Sequence, residues 1–159
     1  MKYNITIEEL RKQPQYISII VEWLYKEWGN QNKNYWESWI RHSLQTDDIP
    51  KTYILFVNNH IAGTYSLWRC DLQSRQDLCP WFGGLYVDEK YRGQFYNSEK
   101  LGEILQRHAV LELKKMGYHE AYLFTSHSSE YYNRNGWKDL CQAPDEHDQL
   151  VNICYRTFS

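Results

Sequence analysis

The chain has 159 residues, 42% hydrophobic and 24% charged, a globular composition at about the length of one domain. Lys and Arg total 18 against 20 Asp and Glu, a net charge of −2, which lacks the strongly basic footprint of a general nucleic-acid binder. No apolar run reaches the roughly 20 residues of a bilayer span, and Met1-Lys2-Tyr3-Asn4 carries no signal-peptide apolar core. The expectation is a single cytoplasmic domain over residues 1–159, with no nucleic-acid and no membrane partner.

In chain order, residues 3–7 alternate with period two and read as a first strand. From Pro14 the period changes: Ile17, Ile20, Val21, Leu24 and Trp28 fall at helical spacing, closed by Gly29-Asn30. A second helix is predicted over 35–44, with Trp36, Trp39 and Ile40 on one side; the two helices read equally well as one broken element. Residues 52–57 and 61–68 flank Asn58-Asn59 and predict a hairpin. Residues 71–77 read as a loop and 81–87 as a strand bent by its two central glycines. A long helix starts near Asn97 or Ser98, with Leu101, Leu105, Ala109, Leu113 and Met116 on its apolar face and Gly117 as its C-terminal cap. A strand over 121–125, a short helix over 128–135 ended by Gly136, and strands around 137–141 and 150–158 complete the chain. This order predicts an α/β (α+β mixed) domain.

Few sites of chemistry suggest themselves. The four cysteines, at 70, 79, 141 and 154, are 9, 62 and 13 positions apart and form no C-x-x-C knuckle, so no metal is expected and each reads as a small buried hydrophobe. The six histidines show no tight ligand spacing; His108 is expected to lie partly covered on the long helix. No P-loop, dinucleotide glycine motif, zincin motif or nucleophile elbow is present. The informative stretch is the turn from a strand into the long helix, Tyr91-Arg92-Gly93-Gln94-Phe95-Tyr96-Asn97-Ser98. Asn97 or Ser98 is expected to cap that helix, whose free N–H groups beside Arg92 suit a phosphate or diphosphate.

Val87-Asp88-Glu89-Lys90-Tyr91-Arg92-Gly93, a long helix, Leu123-Phe124-Thr125 and then Tyr131-Tyr132-Asn133-Arg134-Asn135-Gly136-Trp137 resemble the GNAT superfamily of N-acetyltransferases. The resemblance implies a central mixed, mostly antiparallel sheet flanked by about four helices, and acetyl-CoA as co-substrate. It implies that Leu85, Tyr86 and Val87 pair their backbone with the pantetheine arm. The turn Arg92, Gly93, Gln94, Phe95, Tyr96 and Asn97, with Ser98 at the helix start, would wrap the pyrophosphate. Thr125 would lie near the pantetheine, and Tyr132 would protonate the departing thiolate. The family's Arg/Gln-x-x-Gly-x-Gly/Ala pattern is altered here, with Phe95 and Asn97 in the two small-residue positions, where glycine accepts φ > 0.

The reaction implied is direct attack of a primary amine, from a small molecule or a peptide, on the thioester in a ternary complex. No base is singled out: His127, Asp71, Asp77, Glu22 and a water-mediated route stay open. The acceptor is expected near Trp28, Trp36, Trp39, Tyr65 and Trp68, where aromatic faces attract a cationic amine. The alternatives are a non-catalytic GNAT-fold binding module with a degenerate CoA loop, and an enzyme using another acyl-CoA. A homodimer is compatible with this reading, though neither acceptor nor oligomeric state follows from the residues.

Overall fold

The computed structural model describes residues 2–29 and 32–159. The elements are β1 (Ile5–Glu9), α1 (Ile17–Trp28), α2 (Lys33–His42), β2 (Lys51–Val57), β3 (His60–Trp68), β4 (Trp81–Val87), α3 (Leu101–Lys115), β5 (Glu120–Thr125), α4 (Glu130–Arg134), β6 (Lys138–Pro144) and β7 (Leu150–Thr157). Neighbouring strands run β1-β2-β3-β4-β5-β7-β6. β4 and β5 are parallel, whereas β1·β2, β5·β7 and β6·β7 are antiparallel. The result, among the described residues, is the mixed, mostly antiparallel sheet with four helices that the resemblance implies, in the α/β domain that the element order predicts. The chain separates into two compact units, Met1–Ser66 with Gly84–Leu105, and Leu67–Gly83 with Gln106–Ser159.

In the first unit, β2 is rich in β-branched and aromatic residues and is buried along its whole length. It turns into β3 through Asn58 and Asn59, both left-handed at φ 48 and 68, the geometry a two-residue hairpin requires and asparagine tolerates. α1 buries Ile17, Ile20, Val21, Trp23 and Leu24, and Trp23 stacks on Tyr86 at 5.1 Å. Tyr53 and Tyr65 stack at 4.9 Å. The buried Thr52 hydroxyl bonds Ser43 and Ser66 at 2.7 and 2.8 Å, so these core hydroxyls are satisfied.

Two boundaries in this unit differ from expectation. β1 spans Ile5–Glu9 rather than 3–7 because both backbone polar groups of Tyr3 bond the Asn97 side chain. α2 begins at Lys33 because Asn32 caps it, its Oδ1 accepting from the Tyr35 N–H at 3.0 Å. α1 ends at Trp28, as expected, with Gly29 as its cap at a φ of −67, which is not left-handed; a Cβ there would collide with the Tyr25 carbonyl oxygen. The expected stop residue Asn30 lies outside the described residues.

In the second unit, Ala121 and Leu123 of β5 and Val151, Ile153 and Cys154 of β7 enter the core with Ala109, Val110 and Leu113. The helix closes on Gly117 at φ 89, with the Tyr118 N–H donating to the Leu113 carbonyl at 3.0 Å. The expected loop at 71–77 contains a 3₁₀ turn over Gln73–Arg75. β6 starts after Trp137, whose ring is buried against Phe82 instead of extending a strand. The buried-hydrophobe reading holds for Cys154; Cys70 is half-buried, while Cys79 and Cys141 are exposed. Cys141 lies on β6, the edge of the sheet, where nearly every residue faces solvent. His108 is half-buried as expected, and burial lowers its pKa.

Candidate functional site

Strand β4 ends in Leu85-Tyr86-Val87, beyond a kink at Gly84, where φ is +60. Leu85 and Val87 are half-buried. Tyr86 is 4% exposed, its ring covered by Trp23 and by the Arg92 guanidinium at 4.8 Å. Arg92 Nε–H also donates to the Val87 carbonyl at 2.6 Å. The charge expected beside the turn is therefore braced against the strand end, while the residue remains exposed.

The turn does not cap the long helix. Asn97 and Ser98 are left-handed at φ 52 and 75, a geometry incompatible with a right-handed first turn. They form the corner of a tight loop closed by Tyr96 N–H to Glu99 O (2.7 Å) and Glu99 N–H to Tyr96 O (3.2 Å). α3 opens at Leu101, where Glu103 and Ile104 donate to the Lys100 carbonyl. The Asn97 amide instead accepts from the Tyr3 N–H (2.9 Å) and donates to the Tyr3 carbonyl (2.8 Å). Tyr96 is buried edge-on against the Tyr3 ring, and its hydroxyl donates to Gln94; burial raises its pKa.

These contacts pin the loop while leaving its main chain open. Among the described residues, the amides of Gly93, Gln94, Phe95, Asn97 and Ser98 have no acceptor within the chain. Phe95 is 64% exposed beneath the Lys100 ammonium at 5.5 Å, so its ring does not plug the loop. Nor does Phe95 need a left-handed backbone: the positive φ values fall at Gly93, Asn97 and Ser98. A short run of open amides around left-handed residues, with an arginine alongside, suits an anion.

In the second unit, Tyr132 sits on α4. Burial, with smaller effects from Tyr131 and Cys154, pushes its hydroxyl up to about 12, and that hydroxyl has no hydrogen-bond partner among the described residues. Gly136, at φ 93, ends this helix, and the Trp137 N–H donates to the Tyr132 carbonyl at 3.0 Å. A Cβ on Gly136 would lie 2.9 Å from Arg156 Nη1, which donates to the Asn135 carbonyl. The sequence reading missed Gln106. Buried on α3, it donates to the Tyr131 hydroxyl (3.1 Å) and accepts from the Trp137 indole (3.0 Å). Its signal was a polar residue one turn before Val110 on the apolar face. Thr125 ends β5 with its hydroxyl oxygen accepting the His127 N–H at 3.1 Å, so that oxygen already serves a turn; His127 itself is exposed.

The aromatic acceptor surface is narrower than expected. Tyr65 and Trp68 are core residues, 0% and 6% exposed. Trp28 is exposed, whereas Tyr35, Trp36 and Trp39 cluster at 5.6–6.2 Å between ring centroids. The Trp36 indole N–H is buried without a partner. Among the described residues, no group of three or more His, Cys, Asp or Glu could hold a metal ion, and no helix is long and apolar enough to cross a membrane.

No family model and no curated protein matches the chain. Solved structures do. An aminoglycoside 6'-N-acetyltransferase complexed with coenzyme A is similar at TM-score 0.76, with 14% identity over 96% of each chain. An aminoglycoside 6'-acetyltransferase type Ii is similar at 0.71, with 15% identity over 96% of each chain. A GNAT-family acetyltransferase from Streptococcus pneumoniae is similar at 0.67, with 15% identity over 98% of this chain and 100% of the other. At these identities the shared property is architecture: the chain has the GNAT acetyltransferase fold.

Proposed function

We propose that residues 1–159 act as a single N-acetyltransferase domain that uses acetyl-CoA and a primary amine. The observation that carries this reading is the loop from Gly93 to Ser98, tied down by the hydrogen bonds of Asn97 and Tyr96, with its amides open and Arg92 alongside. Those amides and Arg92 would hold the diphosphate, while the Leu85-Tyr86-Val87 backbone would hold the pantetheine. Acetyl-CoA supplies an activated acetyl group; the chain supplies orientation and protons. Tyr132 keeps its proton at neutral pH because burial holds its hydroxyl at about 12, and it donates that proton to the leaving sulfur. The Tyr35, Trp36 and Trp39 cluster suits a cationic amine, whether a small molecule or a peptide. The solved structures that share the fold include aminoglycoside enzymes, which puts aminoglycosides first among amines to test.

Acetyl-CoA at 100 times its dissociation constant should stabilise the protein by about 2.7 kcal/mol, read as a rise in thermal midpoint, and an amine panel should release free CoA. No midpoint shift at millimolar acetyl-CoA would favour the non-catalytic module. That second reading rested on Phe95 and Asn97. The outward Phe95 ring and the left-handed Asn97 now weigh against it.

A further inference from the structure

A half-buried titratable group with no role so far is Asp71, in the segment between β3 and β4. Its carboxyl rests directly on β4: a Cβ at Gly83 would lie 2.5 Å from Asp71 Oδ2 and 3.1 Å from Trp68 Cδ1. The carboxyl therefore fills the space of the side chain that Gly83 lacks. Among the described residues it has no hydrogen-bond or ion-pair partner. The titratable group beside it is the Cys70 thiol, whose pKa is raised by burial and, to a smaller degree, by Asp71. β4 faces it with Gly83, preceded by Trp81 and Phe82, none of them titratable. The side chain still reaches solvent, so a proton taken up there can leave.

We infer that Asp71, lodged over Gly83, is the base that removes a proton from the acceptor amine. This deepens the acetyltransferase reading and rests on it. Burial with no countercharge holds the Asp71 carboxyl at about 7, well above the usual carboxylate range and near the pH at which a base is most effective. An ammonium gives one proton to the Asp71 carboxylate. The freed nitrogen pair bonds the acetyl carbon, the C–S bond breaks onto sulfur, and Tyr132 protonates that sulfur. The second nitrogen proton restores Tyr132 through water, and Asp71 returns its proton to solvent. The net release is one proton, free CoA and the amide.

The test has two parts. Carboxyl NMR of aspartate-labelled protein, assigned with Asp71→Asn, should show Asp71 titrating near 7; titration near 4 overturns the proposal without reference to activity. CoA release is then followed from pH 5.5 to 9.5 (~0.5-unit steps, spanning the Asp71 and amine ranges) with kanamycin, spermidine and a lysine peptide. Asp71→Asn should lose about 100-fold in kcat at neutral pH, lose the rise centred near 7 and keep the acetyl-CoA thermal shift. Gly83→Ala, which displaces the carboxyl while leaving it in the chain, should show the same loss and covers the case in which Asp71→Asn does not fold. A wild type that releases no CoA with any of these amines overturns the acetyltransferase reading and this role together. An active wild type whose variants keep its kcat and pH profile overturns the Asp71 role alone.

Discussion

Asn97 grips Tyr3 by both ends of its peptide, accepting from the N–H at 2.9 Å and donating to the carbonyl at 2.8 Å across 94 residues of sequence. The side chain that interrupts the family's small-residue pattern is thus the clamp that holds the loop. Asn97→Gly keeps the left-handed backbone but removes both bonds. They lie on the surface, so a stability loss of roughly 1–2 kcal/mol is expected, with weaker acetyl-CoA binding. Chemical denaturation and calorimetric titration check both; full affinity in the variant would show that backbone freedom alone shapes the loop.

Tyr132→Phe removes a hydroxyl that has no partner among the described residues. The thermal midpoint and the acetyl-CoA dissociation constant should therefore hold, while kcat falls about 100-fold. Steady-state kinetics separate the two; an intact kcat removes Tyr132 from the chemistry.

Phe95→Ala tests the other departure from the pattern. The ring is exposed, and surface substitutions of this kind move stability by at most about 0.5 kcal/mol. Acetyl-CoA affinity should stay within about twofold of wild type. A large gain in affinity would mean that the ring had been obstructing the loop.

Glu9 gives a pH-dependent prediction. Burial alone would raise its carboxyl, but Lys51 at 2.7 Å and Arg11 together outweigh that and lower it below the ordinary 4.5. A lowered folded-state pKa contributes stability above 4.5 that is lost as pH falls through the folded value. Glu9→Gln leaves the buried Lys51 ammonium short of its countercharge and should lower stability at pH 7. Wild type and variant should converge in urea melts as pH falls through the lowered Glu9 value; a gap independent of pH would assign the loss to packing.

Element order was legible because apolar periodicity and Gly, Asn and Pro punctuation agreed along most of the chain, as at Asn58-Asn59 and Gly117. Boundaries slipped where a distant side chain took over a local backbone group. Tyr3 reads as strand until Asn97 takes its hydrogen bonds, and Asn97 reads as a helix cap until its left-handed backbone is known. The aromatic surface was over-read because composition does not tell a core tyrosine such as Tyr65 from a half-buried tryptophan such as Trp36. Asp71 stood unranked among several carboxylates, since its perturbation comes from burial against Gly83, twelve positions away on β4. Gln106 went unremarked for a related reason: its partners, Tyr131 and Trp137, lie 25 and 31 positions away.

The strand order has a consequence for biosynthesis. β7 lies between β5 and β6, and its Arg156 reaches the turn that ends the Tyr132 helix. During translation, β5 can already pair with β4, but β6 has no ladder to join until β7 emerges. The turn that ends the Tyr132 helix therefore gains its Arg156 brace only after β7 has been made.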